Sequence, residues 1–109
     1  MIRIQINSNV IKLIKSEYLT TGMYNQIECE FEFSKEWQEL ENFSTFNINN
    51  KIYKEKIINN KCNIPAEALK QAGILYVGVY GNKIINNLLE KRNTTGLLKL
   101  EVFNGYKEE

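Results

Sequence analysis

Histidine and aspartate are both absent from this 109-residue chain, so all 13 acidic side chains are glutamates. Their absence excludes the usual Ser-His-Asp and Cys-His nucleophilic sites, His-ligated zinc and Asp-based calcium loops. Cysteine is scarce: Cys29 and Cys62 are too few for a Cys-rich zinc site or a secreted disulfide framework. One proline and six glycines leave no Pro/Gly-rich linker, so a single domain over residues 1–109 is expected. No apolar run approaches the roughly 18 residues of a membrane-spanning helix. The N-terminal stretch MIRIQINSNVIKLIK lacks the continuous apolar segment of a signal peptide. Neither sign of charge predominates. With 14 Lys+Arg against 13 acids the net charge is +1, which makes no electrostatic case for a nucleic-acid or membrane partner.

What is present reads as strands. Residues 2–6 alternate isoleucine with polar side chains, and 10–15 follow across Asn7-Ser8-Asn9, which predicts a hairpin. In 24–33, Ile27, Cys29, Phe31 and Phe33 fall on one face and Gln26, Glu28, Glu30 and Glu32 on the other. That is a strand with one side in the core and one in water. Ser34 reads as the N-cap of one or two helical turns, SKEWQEL, with Trp37 and Leu40 on the same side. Strands 43–48 and 51–57 join at Asn49-Asn50, and Asn59-Asn60 turns the chain into 61–64. Pro65 opens a second short helix that Gly73 caps. Residues 74–80, ILYVGVY, predict a central strand covered on both faces, with Gly78 inside and Gly81-Asn82 as its end. The segment 83–89 fits no single pattern, 92–96 reads as a loop, and 97–103 is the last strand. About eight strands at this spacing, with two very short helices, predict an all-β antiparallel sandwich or barrel.

Each candidate site has a plainer reading beside it. Glu28, Glu30 and Glu32 read as a cation site or as a carboxylate pair for acid–base work, since alternate residues on one strand face lie about 6.5–7 Å apart, near the separation of glycosidase carboxylates. The same stripe also keeps a strand face soluble, and no other catalytic group accompanies it. Cys29 and Cys62 pair only if their strands are neighbours; the apolar companions of Cys29 favour two buried free thiols. A nucleophilic cysteine would also need a base that the chain does not supply as histidine. Tyr18, Tyr24, Tyr53, Tyr76, Tyr80 and Tyr106, with Trp37, read as core or interface before they read as a stacking platform for sugars or bases. Gly78, Gly81 and Gly96 match no phosphate loop. This reading assigns no catalytic residue, no metal ligand and no cofactor.

Two stretches carry a family resemblance. FEFSKEWQEL, Phe31 to Leu40, is followed by Phe46; CNIPAEALKQAGILYVGVYG, Cys62 to Gly81, is followed by KRNTT from Lys91. Together, over residues 27–102, they resemble a small β-sandwich module of tailed-phage virion proteins. The pattern is similar to the N-terminal immunoglobulin-like domains of baseplate upper proteins and to head-fibre domains. The resemblance implies an immunoglobulin-like sandwich with Phe31, Phe33, Trp37, Phe46, Leu75, Val77 and Val79 in the core and no catalytic residue. Asn93 stands where the family has a proline before the Thr pair.

The resemblance further implies a non-enzymatic virion protein, made in the host cytoplasm and touching a coat, fibre or baseplate protein. Many copies held by symmetric contacts imply a homo-oligomer. No shaft or coiled coil follows the module, which favours a capsid decoration or head-fibre subunit over a tail or baseplate adaptor. A module binding a host-surface glycan and a small inhibitor of a host protein are the other classes. Contacts are expected from the loops 19–23, 49–51, 82–87 and 92–96.

Overall fold

The computed structural model describes residues 1–23 and 27–106. The first hairpin is β1 (Ile2–Asn7) and β2 (Val10–Lys15), followed by a two-residue strand, β3 (Leu19–Thr20), and by β4 (Glu28–Phe33). A 3₁₀ turn at Lys35–Trp37 leads into β5 (Glu41–Ile48), β6 (Lys51–Lys56) and β7 (Lys61–Asn63). A second 3₁₀ turn, Ala66–Leu69, precedes β8 (Gly73–Ile85), β9 (Leu88–Thr94) and β10 (Leu98–Phe103). The opening residues of the expected strand 24–33, Tyr24 to Gln26, lie outside the described residues.

Two sheets pack face to face. The first has the order β2-β1-β4-β7; the second runs β3-β10-β8-β5-β6, with β9 also paired to β8. The core between them takes Ile2, Ile4 and Ile6 from β1, Cys29 and Phe31 from β4, Phe46 and Ile48 from β5, and Leu75, Val77 and Val79 from β8. Leu100 and Val102 of β10 complete the second layer. The period-2 pattern predicts these faces because successive side chains of a strand point to opposite sides. All the core positions implied by the resemblance are buried except Phe33, which is half-buried, stacks on Phe31 and packs at a tilt against Trp37.

The sheets are mixed, not purely antiparallel. β1 pairs β4 in parallel, Ile4 opposite Phe31, and β10 pairs β3 in parallel, Val102 opposite Leu19. A parallel pair needs a long crossover, and the β2-β3 excursion between β1 and β4 supplies one. Ten strands form among the described residues where about eight were expected. Both expected helices are single 3₁₀ turns, too short to close a full α-helical turn. Gly73 caps no helix: with φ of 150° it begins β8, against Ile48 and Asn49.

Three tight turns use the same dipeptide, two of them in hairpins and one between strands of different sheets. Asn49-Asn50, Asn59-Asn60 and Asn86-Asn87 all hold positive φ, between 51° and 64°. Positive φ at both central residues is the requirement of the type I′ turn, which matches strand twist and which asparagine tolerates better than most residues.

The largest departure from expectation is β8. Gly81-Asn82 does not end it; the strand runs 13 residues to Ile85 and turns back at Asn86-Asn87 into β9. The segments 82–87 and 92–96, expected as loops, are therefore mostly strand. Nor is β8 covered on both faces along its length: only Val77–Val79 is buried throughout, while Tyr76 and Tyr80 are half-buried on the outer face.

Candidate functional site

The β8–β9 hairpin leaves the body of the protein. β5 accompanies β8 only as far as Asn82, opposite Glu41, and β10 only from Gly73 to Val77. Beyond Asn82 the remaining strand partner of β8 is β9. At about 3.3 Å per residue, β8 alone is about 40 Å long, and the molecule measures 54 × 28 × 22 Å. Lys83 faces Lys91, yet Ile84 faces Leu89, so Glu90 is an extra residue at a β-bulge that re-aims the arm.

The tip of this arm is apolar on both faces. Ile84 pairs with Leu89 and Ile85 with Leu88, and adjacent pairs in a ribbon point to opposite sides. All four are open to solvent, with Ile84 56%, Ile85 43%, Leu88 71% and Leu89 53% exposed. A two-stranded hairpin of this kind is marginally stable alone in water, and clustered exposed aliphatics mark interaction surfaces. At its base lies a cleft of about 610 Å³, whose walls mix Lys35, Lys83 and Lys91 with Glu36 and Glu39. The Ser34 hydroxyl donates to Glu36 there at 2.5 Å, which lowers that carboxyl's pKa.

A second feature lies on the outer face of the second sheet. Phe43 of β5 and Tyr80 of β8 stack with centroids 5.2 Å apart. Lys54 Nζ sits 6.0 and 5.9 Å from the two centroids, and the Arg92 guanidinium carbon is 5.7 Å from that of Tyr80. Arg92 Nε donates to Asn82 Oδ1 at 2.7 Å. With Thr94 these residues line a depression of about 510 Å³.

The residues singled out from the sequence are placed as follows. Of the glutamate stripe, Glu30 binds Arg3 at 3.0 Å and lies 3.9 Å from Lys61, Glu28 faces Asn63, and Glu32 is exposed. No cluster of metal-ligating side chains forms among the described residues. Cys29 and Cys62 are directly opposed in the β4–β7 ladder, and both are free thiols. Burial pushes the Cys29 thiol up to about 12 and, with the neighbouring Cys29 adding to it, pushes Cys62 up as well. Such thiols hold little thiolate at neutral pH and are poor nucleophiles.

The aromatic residues do not gather into one platform. Trp37 is fully buried, Tyr53 packs against the core and Tyr106 projects into solvent. Tyr18 stacks on Phe103 at 4.9 Å, Tyr76 and Tyr80 share the outer face, and Tyr24 lies outside the described residues. Asn93, the departure from the family pattern, sits in β9 opposite Gly81 and donates to the Glu36 carbonyl at 3.3 Å.

Sequence reasoning missed the arm, although its signal was present. Asn86-Asn87 is the same dipeptide as the two turns it recognised, and the flanking Ile-Ile and Leu-Leu pairs hide the strand because neither face is polar. No protein-family model, curated protein or solved structure matches this chain.

Proposed function

We propose that this chain is a non-enzymatic assembly subunit that attaches to a larger protein structure by its β8–β9 arm. The observation that carries the reading is the two-faced apolar tip, Ile84, Ile85, Leu88 and Leu89, held clear of the body on an otherwise unpacked ribbon. A flat patch needs one covering surface; a ribbon apolar on both sides needs a groove that grips it. Covering the exposed part of four such side chains is worth roughly 3–6 kcal/mol, so many copies or further contacts must offset the entropy of association.

The Phe31–Leu40 and Cys62–Gly81 stretches, resembling the tailed-phage virion module, supply the setting. The chain is then a virion component, a capsid decoration or head-fibre subunit, with a tail or baseplate adaptor as the alternative. The two-sheet, all-β body supports this reading at the coarse level as a rigid frame that presents one arm. A homo-oligomer on the particle is part of the same proposal.

The test is mass spectrometry of purified particles of the encoding phage, with copy number taken against the major coat protein. A fixed high ratio supports a head subunit, and a low fixed ratio a tail adaptor. Particles carrying Leu88→Glu with Ile85→Glu should lack the protein although the variant folds. Absence of the unaltered protein from particles, with abundance in infected-cell lysate, overturns the virion reading in favour of an inhibitor of a host protein.

A further inference from the structure

The geometry points to the Phe43–Lys54–Tyr80–Arg92 depression, at the foot of the arm and apart from its apolar tip, as a binding site for a linear, carboxylate-bearing polysaccharide. Its electrostatics come first. The chain's charges nearly cancel, yet this depression is lined by two cations and no acid. Neither Lys54 nor Arg92 has a carboxylate partner among the described residues, whereas Arg3, Lys56, Lys61 and Lys83 all do. The neighbouring acid, Glu41, is taken by Lys56 at 3.4 Å.

Arg92 is also held in place. Its Nε is anchored on Asn82 and its guanidinium carbon stands 5.7 Å from the Tyr80 centroid, so the two terminal nitrogens remain for an outside acceptor. A planar guanidinium fixed in this way pairs with a carboxylate through two parallel hydrogen bonds. Asn82 and Thr94 add neutral polar groups of the kind that meet sugar hydroxyls. The volume is that of a small-ligand site, which typically spans about 300–1,000 Å³.

A second cation-on-ring station stands on the same face, beyond the Leu97 side chain that packs over Gly78 between the two. Lys99 Nζ stands 6.0 Å from the centroid of Tyr76, which shares a face of β8 with Tyr80 four residues away. At about 3.3 Å per residue the stations are about 13 Å apart. Two stations along one strand suit an extended polyanion better than a single small anion.

The rings discriminate between polyanions. Single-stranded nucleic acid is held by bases stacked on open aromatic faces. Here Tyr80 already carries Phe43, Lys54 and Arg92, and Tyr76 carries Lys99. A base would have to displace these groups to stack, while a sugar acid needs only the cations and the polar rim.

The experiment is isothermal titration of the whole chain, at low salt, with an oligogalacturonate. A neutral galacto-oligosaccharide, a poly-glutamate peptide and an oligo-thymidylate serve as comparison probes. The expected result is binding of the oligogalacturonate above all three, weakened about tenfold or more by Arg92→Gln and by Lys54→Gln. Lys12→Gln, on an exposed position of β2, should leave it within about twofold, as should the arm variant Leu88→Glu. Failure of the oligogalacturonate to bind overturns the proposal. So does equal binding by Arg92→Gln, or tighter binding of the peptide or the oligonucleotide. None of these outcomes bears on whether the arm assembles.

Discussion

The indole Nε1 of Trp37 donates a 2.8 Å hydrogen bond to the backbone carbonyl of Ser8. The amide of the same Ser8 donates to Ser34 Oγ at 2.9 Å. One residue of the β1–β2 turn thus ties down both the cap and the tryptophan of the 3₁₀ turn after β4. Asn42 adds a further link, donating from Nδ2 to the Trp37 carbonyl at 3.2 Å. This end of the sandwich is closed by a polar seam around a fully buried indole, in which Asn42 Oδ1 is buried without a hydrogen-bond partner.

Trp37→Ala should therefore destabilise the protein by about 3–5 kcal/mol. Trp37→Phe keeps most of the apolar contact but leaves the Ser8 carbonyl without its donor, at a cost of about 1–3 kcal/mol. Urea unfolding of the two variants measures both values. An alanine variant with an unchanged midpoint would show that the indole is not a core residue.

Glycine substitutions should separate by what surrounds them. A β-carbon at Gly81 would run into the side chains of Asn42 and Leu40, and Asn42 is held by its bond to Trp37. Gly81→Ala should cost about 1–3 kcal/mol. Gly96 has open space around it, so Gly96→Ala should stay within about 0.5 kcal/mol. Thermal melts of the two proteins side by side check the contrast.

The thiols should be inert in the native protein and reactive on unfolding. The Cys29 thiol, pushed up from 9.0 to about 12, holds on the order of a thousandth of the ordinary thiolate fraction. Labelling by a disulfide reagent at pH 8 should thus be at least about 100-fold slower without urea than with it. The same shift has a sign for stability. The unfolded thiol ionises from about pH 9 while the native one does not, so stability holds below that value and falls as pH rises towards 12. A Cys29→Ala/Cys62→Ala variant should show a flatter decline across this window in urea midpoints.

Two chemically identical turns should respond differently to the same change. Valine disfavours positive φ, at roughly 1–2 kcal/mol. Asn50→Val strains the turn between β5 and β6 within the body and should lower the melting temperature. Asn87→Val strains the arm tip, which packs on nothing in the body, so the melting temperature should hold while hydrogen exchange in residues 83–91 accelerates. Equal loss of melting temperature in the two variants would mean that the arm folds as part of the core.

The body was largely legible in the chain because its signals are local. IRIQI and IECEF mark their inward faces by alternation, and Asn49-Asn50 and Asn59-Asn60 mark their turns by tolerating positive φ. The arm was not legible for the converse reason. IINNLL offers no polar face, and a strand that leaves the body has no buried side to alternate with. The cation-bearing depression was equally hidden, since its six lining residues come from four strands and meet only across the ladders β6-β5-β8-β9.

The amino-acid sequence by itself determined the class of structure, the inward faces of the strands and the turn residues, because backbone sterics and period-2 burial act over a few residues. Only the tertiary structure decided that β1 runs parallel to β4, that β8 outreaches its neighbours into an arm, and that Lys54 and Arg92 converge on Tyr80. Those are choices of partner between distant segments, and they are set by which apolar faces can be buried together in one core.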